Sequence, residues 1–166
     1  EGMEIFQVTL ILATVLCSLV AGFVFAFAVV VMPGISNLGD GEFLRAFQTM
    51  DRVIQNNQPV FMLVWMGSVI ALLAAAALGF GQLDGTGRLL IIAAALFYLL
   101  GVQLPTVTIN IPLNNTVQAL DIDAMDETAL AAARRDFESR WNFWNSTRTL
   151  LASLVSVLLI ILLLRL

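Results

Sequence analysis

The sequence predicts an all-α integral membrane protein: a four-helix bundle with an extra amphipathic helix between its first and second spans. Three observations predict it. Of the 166 residues, 60% are hydrophobic and only 12% charged, with a mean hydropathy of +0.93; a soluble domain carries about twice that charge. Four apolar runs are long enough to cross a bilayer, which takes ~20 residues. The segment Asn37 to Pro59 instead mixes apolar and polar residues with a helical period. The whole chain suits a single transmembrane domain, residues 1–166, with spans near 5–32, 60–80, 88–112 and 141–166 and the amphipathic helix near 40–56.

Glu1-Gly2 ahead of Met3 reads as a cloning remnant, and the run that follows is too long for a signal-peptide core and has no basic flank. The first span, Ile5 to Met32, is free of charge, and Pro33-Gly34 is expected to stop it. Ser18, Gly22 and Ala26 form a small-residue stripe that lets another helix backbone come close. In the next segment Asp40 is the expected N-cap. Phe43, Phe47, Met50 and Ile54 fall on one helical face, while Arg45, Gln48, Asp51, Arg52 and Gln55 cover much of the rest. That pattern describes a helix lying across the bundle end or in the membrane interface. Asn56-Asn57-Gln58-Pro59 breaks it.

The second span carries a further stripe, Gly67, Ala71, Ala75 and Gly79. The two stripes suit helix packing within the chain or a homo-oligomer. The Gly-rich link Gly81 to Gly87 makes the second and third spans antiparallel neighbours. The third span is apolar through Val102 and then turns polar: Gln103, Pro105, Thr106, Thr108, Asn110, Pro112, Asn114. Each proline removes an N–H and clashes with the carbonyl one turn back. The expectation is a kinked, inward-facing end with the Gly101 and Thr108 carbonyls freed. Asp121, Asp123, Asp126 and Glu127 read as a solvated loop and an acidic first turn. Ala129 to Arg140 is expected to continue unbroken into the fourth span.

Composition narrows the function. Net charge is −4, and all eight basic residues are arginines scattered along the chain. A basic stripe is missing, so nucleic acid is not an expected partner. There is no histidine, which removes the commonest general base and metal ligand. Cys17 is alone, so it offers neither an internal disulfide nor a zinc site. No metal and no cofactor are expected. The lipid bilayer is the expected surrounding, that of a multi-pass protein of the bacterial inner membrane. Arg45, Arg52, Arg134, Arg135 and Arg140 share the loop side, against Arg88 and Arg165 on the terminal side. The positive-inside rule then puts the loops in the cytoplasm and the termini outside.

Chemistry concentrates between Asn110 and Arg148. At about 100° per residue, with Trp141 at zero, Asn145 falls near +40°, Arg148 near −20° and Trp144 near −60°. All four fit one arc of roughly 100°, the width of a bundle-facing stripe. An arginine near the hydrocarbon boundary usually faces the bundle and has a partner. The candidates are Asp51, Glu138 and the freed carbonyls. Asn110 and Asn114, one turn apart on the third span, are placed to bond Asn145 or Arg148 and line a polar pocket. Each residue also has a plain structural reading: Trp141 and Trp144 as an interfacial aromatic belt, Arg148 as a snorkelling side chain, the asparagines as interhelical hydrogen bonds, Tyr98 and Gln103 as packed side chains with satisfied tips.

These residues carry a resemblance. Val30 to Gly34 (V-V-M-P-G), Phe47 to Pro59 with Met50, Asp51 and Arg52, Asn110-Ile111-Pro112-Leu113-Asn114, and Arg140-Trp141 with Trp144-Asn145 and Arg148 are similar to motifs of the anthrone oxygenase-like family of four-span membrane proteins. The last two, at this spacing, are the most specific. The resemblance implies the four-helix fold. It also implies a cofactor-independent oxygenase chemistry, since fungal members convert anthrones to anthraquinones without an evident metal or flavin. Ser146 and Thr147 stand where relatives often carry a histidine or another polar residue.

Two readings follow. In one, a bundle-end pocket binds a small apolar or aromatic molecule, a phenolic oxidoreductase substrate if the protein is an enzyme. Arg148, Asn145 and Asp51 would be its catalytic groups and Asn110, Asn114, Trp141 and Trp144 its ligand-binding groups, under a lid made by the Phe43–Ile54 helix. In the other, the same Asn/Trp/Arg cluster locks the bundle of a non-enzymatic scaffold protein.

Overall fold

The computed structural model describes residues 4–166; the Glu1–Met3 reading lies outside them. Four helices are long and apolar enough to cross a membrane: α1 (Ile5–Ile35), α3 (Pro59–Gly79), α4 (Gly85–Gln118) and α5 (Glu127–Leu164). A shorter helix, α2 (Asp40–Gln55), joins α1 to α3. Strands are absent among the described residues. The chain is an all-α integral membrane protein.

Three expected boundaries are corrected. Pro33 does not stop α1, and α4 runs through Pro105 and on past the expected end near Pro112 to Gln118. Each proline follows a wide π turn that ends two residues before it: Phe27–Val31, Leu99–Gln103 and Thr106–Asn110. In each turn the next amide bonds five residues back, as from Met32 to the Phe27 carbonyl. A widened turn moves the carbonyl that the proline ring would strike, so the helix passes the proline without ending. The third change is at α2, whose N-cap is Gly39 rather than Asp40. Asp40 instead accepts a hydrogen bond from Arg134 at 3.1 Å.

The remaining ends follow local rules. Gln58, Asp84 and Asp126 cap α3, α4 and α5 through the amides of Phe61, Gly87 and Ala129. The Gly87 amide holds the Asp84 carboxyl below its ordinary value, with Arg165 adding to the effect. Asn57 takes φ 55°, the left-handed geometry that asparagine tolerates past a helix end.

α1 packs against α3 and α5, and α4 packs against α5. Although a tight turn joins them, α3 and α4 touch mainly through their turn-side halves. The α3 stripe is used inside the chain: Gly67 sits under Leu16, and a Cβ at Gly79 would overlap the Phe6 ring. Gly22 has open space before it, while Ser18 hydrogen-bonds Ser156 of α5 at 3.2 Å. The turn-side core runs through Phe6, Leu10, Ala13, Leu72, Ala75, Ile91, Ala94, Val155 and Leu159.

A second core joins α2 to the loop end of the bundle, through Phe43, Leu44 and Phe47 against Met32, Val117, Phe137 and Trp141. The buried face of α2 differs from the expected one. Gln48 and Asp51 are buried beside Phe43, Leu44 and Phe47, because the facing end of α4 is polar. Gln48 donates to the Val117 carbonyl and Gln118 donates back to the Gln48 carbonyl. The 38 residues of α5 span roughly 57 Å against ~30 Å of hydrocarbon, so its start projects beyond the membrane. There Arg134 stacks on Phe43 and donates to the Ser36 and Leu38 carbonyls and to Glu138.

Candidate functional site

A cavity of about 270 Å³ lies at the loop end of the bundle. Its apolar wall comes from Phe23 and Phe27 of α1 and from Phe61, Met62, Trp65 and Met66 of α3. Phe47, Asp51 and Ile54 of α2 close it above, and Gln103, Thr106, Val107, Asn110, Ile111 and Asn114 of α4 line one side. Trp141, Asn145 and Arg148 of α5 form the back. All three π turns contribute residues directly: Phe27 from the first, Gln103 from the second, and Thr106, Val107 and Asn110 from the third. π turns re-aim side chains that a regular helix would point elsewhere, and they recur at functional sites.

The structure brings together six of the seven expected residues and leaves one out. Trp144 is half-buried and meets Phe143 edge-to-face at 5.5 Å; it does not line the cavity. On the helical wheel it was the farthest of the four from Arg148's neighbours on the cavity side, and one residue step of roughly 100° is enough to lose contact.

Arg148 is 5% exposed, yet its partners are neutral. Nη1 donates to the Thr106 hydroxyl at 3.0 Å and Nη2 to Asn145 Oδ1 at 2.9 Å. The guanidinium also lies 5.6 Å from the Trp141 ring centre. The expected partners are engaged elsewhere: Glu138 pairs with Arg134, and neither the Gly101 nor the Thr108 carbonyl holds Arg148. Asp51 accepts from Asn114 at 2.9 Å, Gln118 at 2.9 Å and Gln55 at 3.1 Å. Four residues apart along α4, Asn114 and Gln118 reach the same carboxylate because they share a helix face.

The asparagines also bond differently from expectation. Asn110 donates to the Trp141 carbonyl at 3.5 Å. Asn114 accepts from Trp141 Nε1 at 2.7 Å, which links Trp141 through Asn114 to Asp51. Asn145 donates to the Val24 carbonyl of α1 at 3.1 Å, so its amide is used at both ends.

Among the described residues, three buried side-chain atoms have no hydrogen-bond partner: Gln103 Nε2, Asn110 Oδ1 and Arg148 Nε. All three belong to residues that line this cavity. A buried polar atom left unmet costs about 1–3 kcal/mol, so their convergence is informative. Gln103 and Trp65 were not picked out as site residues from the sequence; Trp65 Nε1 donates to Gln103 Oε1 at 2.9 Å, leaving the Gln103 amide nitrogen free. The available signal was Gln103 itself, a lone amide two residues before Pro105 in an otherwise apolar span. Tyr98 does have a satisfied tip, on Ser68. Among the described residues no three His, Cys, Asp or Glu side chains come together as a metal-binding group.

No curated protein and no solved structure matches the chain. Residues 51–158 match a protein-family model, described as anthrone oxygenase.

Proposed function

This chain belongs to the anthrone oxygenase family, and from that premise we propose that the loop-end cavity binds a planar, oxygen-bearing aromatic molecule and oxygenates it. The observation that carries the reading is the set of three unmet polar atoms, two donors and one acceptor, around an aromatic-walled space. An anthrone-like phenol offers oxygens to Arg148 Nε and Gln103 Nε2 and a hydroxyl to Asn110 Oδ1. Phe27, Trp65 and Trp141 supply ring faces.

The chemistry divides among the chain's own residues. Asp51 takes a proton from the ring methylene. Arg148 stabilises the resulting enolate oxygen, as a buried cation does for charge that develops in a transition state. Dioxygen adds to the carbanion, and the hydroperoxide expels water to leave a carbonyl, so CH2 plus O2 becomes C=O plus H2O. The reaction as written draws on no cofactor. The excess of arginines on the loop side supports a cytoplasmic location for this end.

The second reading, a lock without chemistry, is favoured by Asn145, whose amide joins α5 to α1 and to Arg148. The two are separated in nanodiscs with 1,8-dihydroxyanthrone in an oxygen electrode, alongside quenching of Trp65 and Trp141 fluorescence by 1,8-dihydroxyanthraquinone. Oxygen uptake above that of empty discs is expected. Arg148→Leu is expected to abolish it and to weaken quinone binding about 10- to 100-fold, the equivalent of one charged hydrogen bond. Thermal stability should hold or rise, since a buried cation without a counter-ion is removed. Binding without turnover would leave a binding protein. Neither binding nor turnover, with a large stability loss, would establish the lock.

A further inference from the structure

Resting on the binding reading above, we infer that the natural ligand is membrane-resident, an aromatic head on an apolar chain, and that it enters sideways from the bilayer between α3 and α4. The water-facing end of the cavity is closed. Phe47, Asp51 and Ile54 of α2 lie over it, and Asp51 ties that helix to α4 through Asn114 and Gln118. The side between α3 and α4 is open. The two helices pack chiefly near their turn, and the Trp65–Gln103 hydrogen bond is the contact that floors the cavity. Past it, Met66, Val107 and Ile111 both line the cavity and are 53%, 62% and 42% exposed. A residue that is at once cavity wall and outer surface marks the rim of an opening.

That opening is at lipid depth. The 21 residues of α3 span about 31 Å, the hydrocarbon thickness itself. Met66 lies about 10 Å inside its loop-side end. At about 270 Å³ the cavity sits at the small end of ligand sites, which start at roughly 300 Å³; it holds a head, and a longer molecule must leave through the gap. Met62 and Met66 stand there, unbranched side chains that adapt to a passing chain. The polar atoms that need partners lie at the inner end, so the head goes in and the chain stays out.

The test uses the full chain in nanodiscs and two probes: 2-hydroxy-1,4-naphthoquinone and its 3-undecyl derivative, dosed as mole fraction in lipid and read by tryptophan quenching. The tailed probe is expected to bind as well as the untailed one, because its chain merely moves from lipid to lipid. Met66→Phe with Val107→Phe, both at the exposed rim of the cavity wall, should weaken the tailed probe on the order of tenfold more than the untailed one, a difference of about 1.4 kcal/mol. A diazirine on the first carbons of the tail should label Met62, Met66, Val107 or Ile111. If the untailed probe binds and the tailed one does not, the sideways route is wrong while the pocket stands. The same holds if the filled gap weakens both probes equally or neither, or if the label lands on α2. If neither probe binds the wild type, the binding reading falls and this inference with it.

Discussion

The two halves of the bundle differ in how their helices meet. Near the Gly81–Gly87 turn the helices are regular, and a small residue lets a large one close the space: Gly79 receives Phe6. Near the loops the helices carry π turns before their prolines, the facing residues are aromatic or polar, and a cavity remains. The turn-side half is mainly apolar packing, and its buried hydroxyls are paired, as Tyr98 is with Ser68. The loop-side half holds a buried cation without a carboxylate and three polar atoms without partners. On the function proposed above, the site is confined to the loop-side half, while the turn-side half serves packing alone.

Three substitutions break or sharpen that contrast. Asn145→Leu is the largest, because its amide both joins α5 to α1 at the Val24 carbonyl and accepts from the buried Arg148. It leaves the Val24 carbonyl and an Arg148 nitrogen unmet, and a loss of about 2–3 kcal/mol is expected, measured as thermal unfolding in detergent. A loss as small as that for an exposed site would mean that Asn145 is held for the ligand instead. Gly79→Ala should remove about 1–3 kcal/mol by driving a methyl into the Phe6 ring, with quinone binding unchanged. Weakened binding there would show that the halves are coupled. Asn110→Leu is the smallest: one neutral hydrogen bond, ~1 kcal/mol or about fivefold in affinity, with stability almost untouched because its one partner is the Trp141 carbonyl at 3.5 Å. A stability loss equal to that of Asn145→Leu would turn the cavity cluster back into a lock.

Much of this was readable in the chain. The four spans, the intervening helix, and the continuation of Ala129–Arg140 into the last span follow from hydropathy and helical period, which act within a single segment. Helix continuity past Pro33 and Pro112 was not readable, because a proline reports a missing donor but not whether the turn before it can widen. The burial of Gln48 and Asp51 was missed for a related reason. A polar residue reads as exposed until its partner, here Gln118, Asn114 or the Val117 carbonyl, is known to face it.

The arginine on which the site turns shows where each source of information ends. Its position on a bundle-facing arc with Asn145 and Trp141 comes from periodicity alone, and so does the approach of Asn110 and Asn114 to the same membrane boundary. Its partners do not. Two carboxylates were candidates, but Glu138 is taken by Arg134 and Asp51 is turned toward α4. Arg148 is left with Thr106, Asn145 and one free nitrogen. Periodicity sets which face a residue presents because it is a property of one helix. Which atom meets it there depends on the rotation and depth of neighbouring helices, and only packing among all of them decides that.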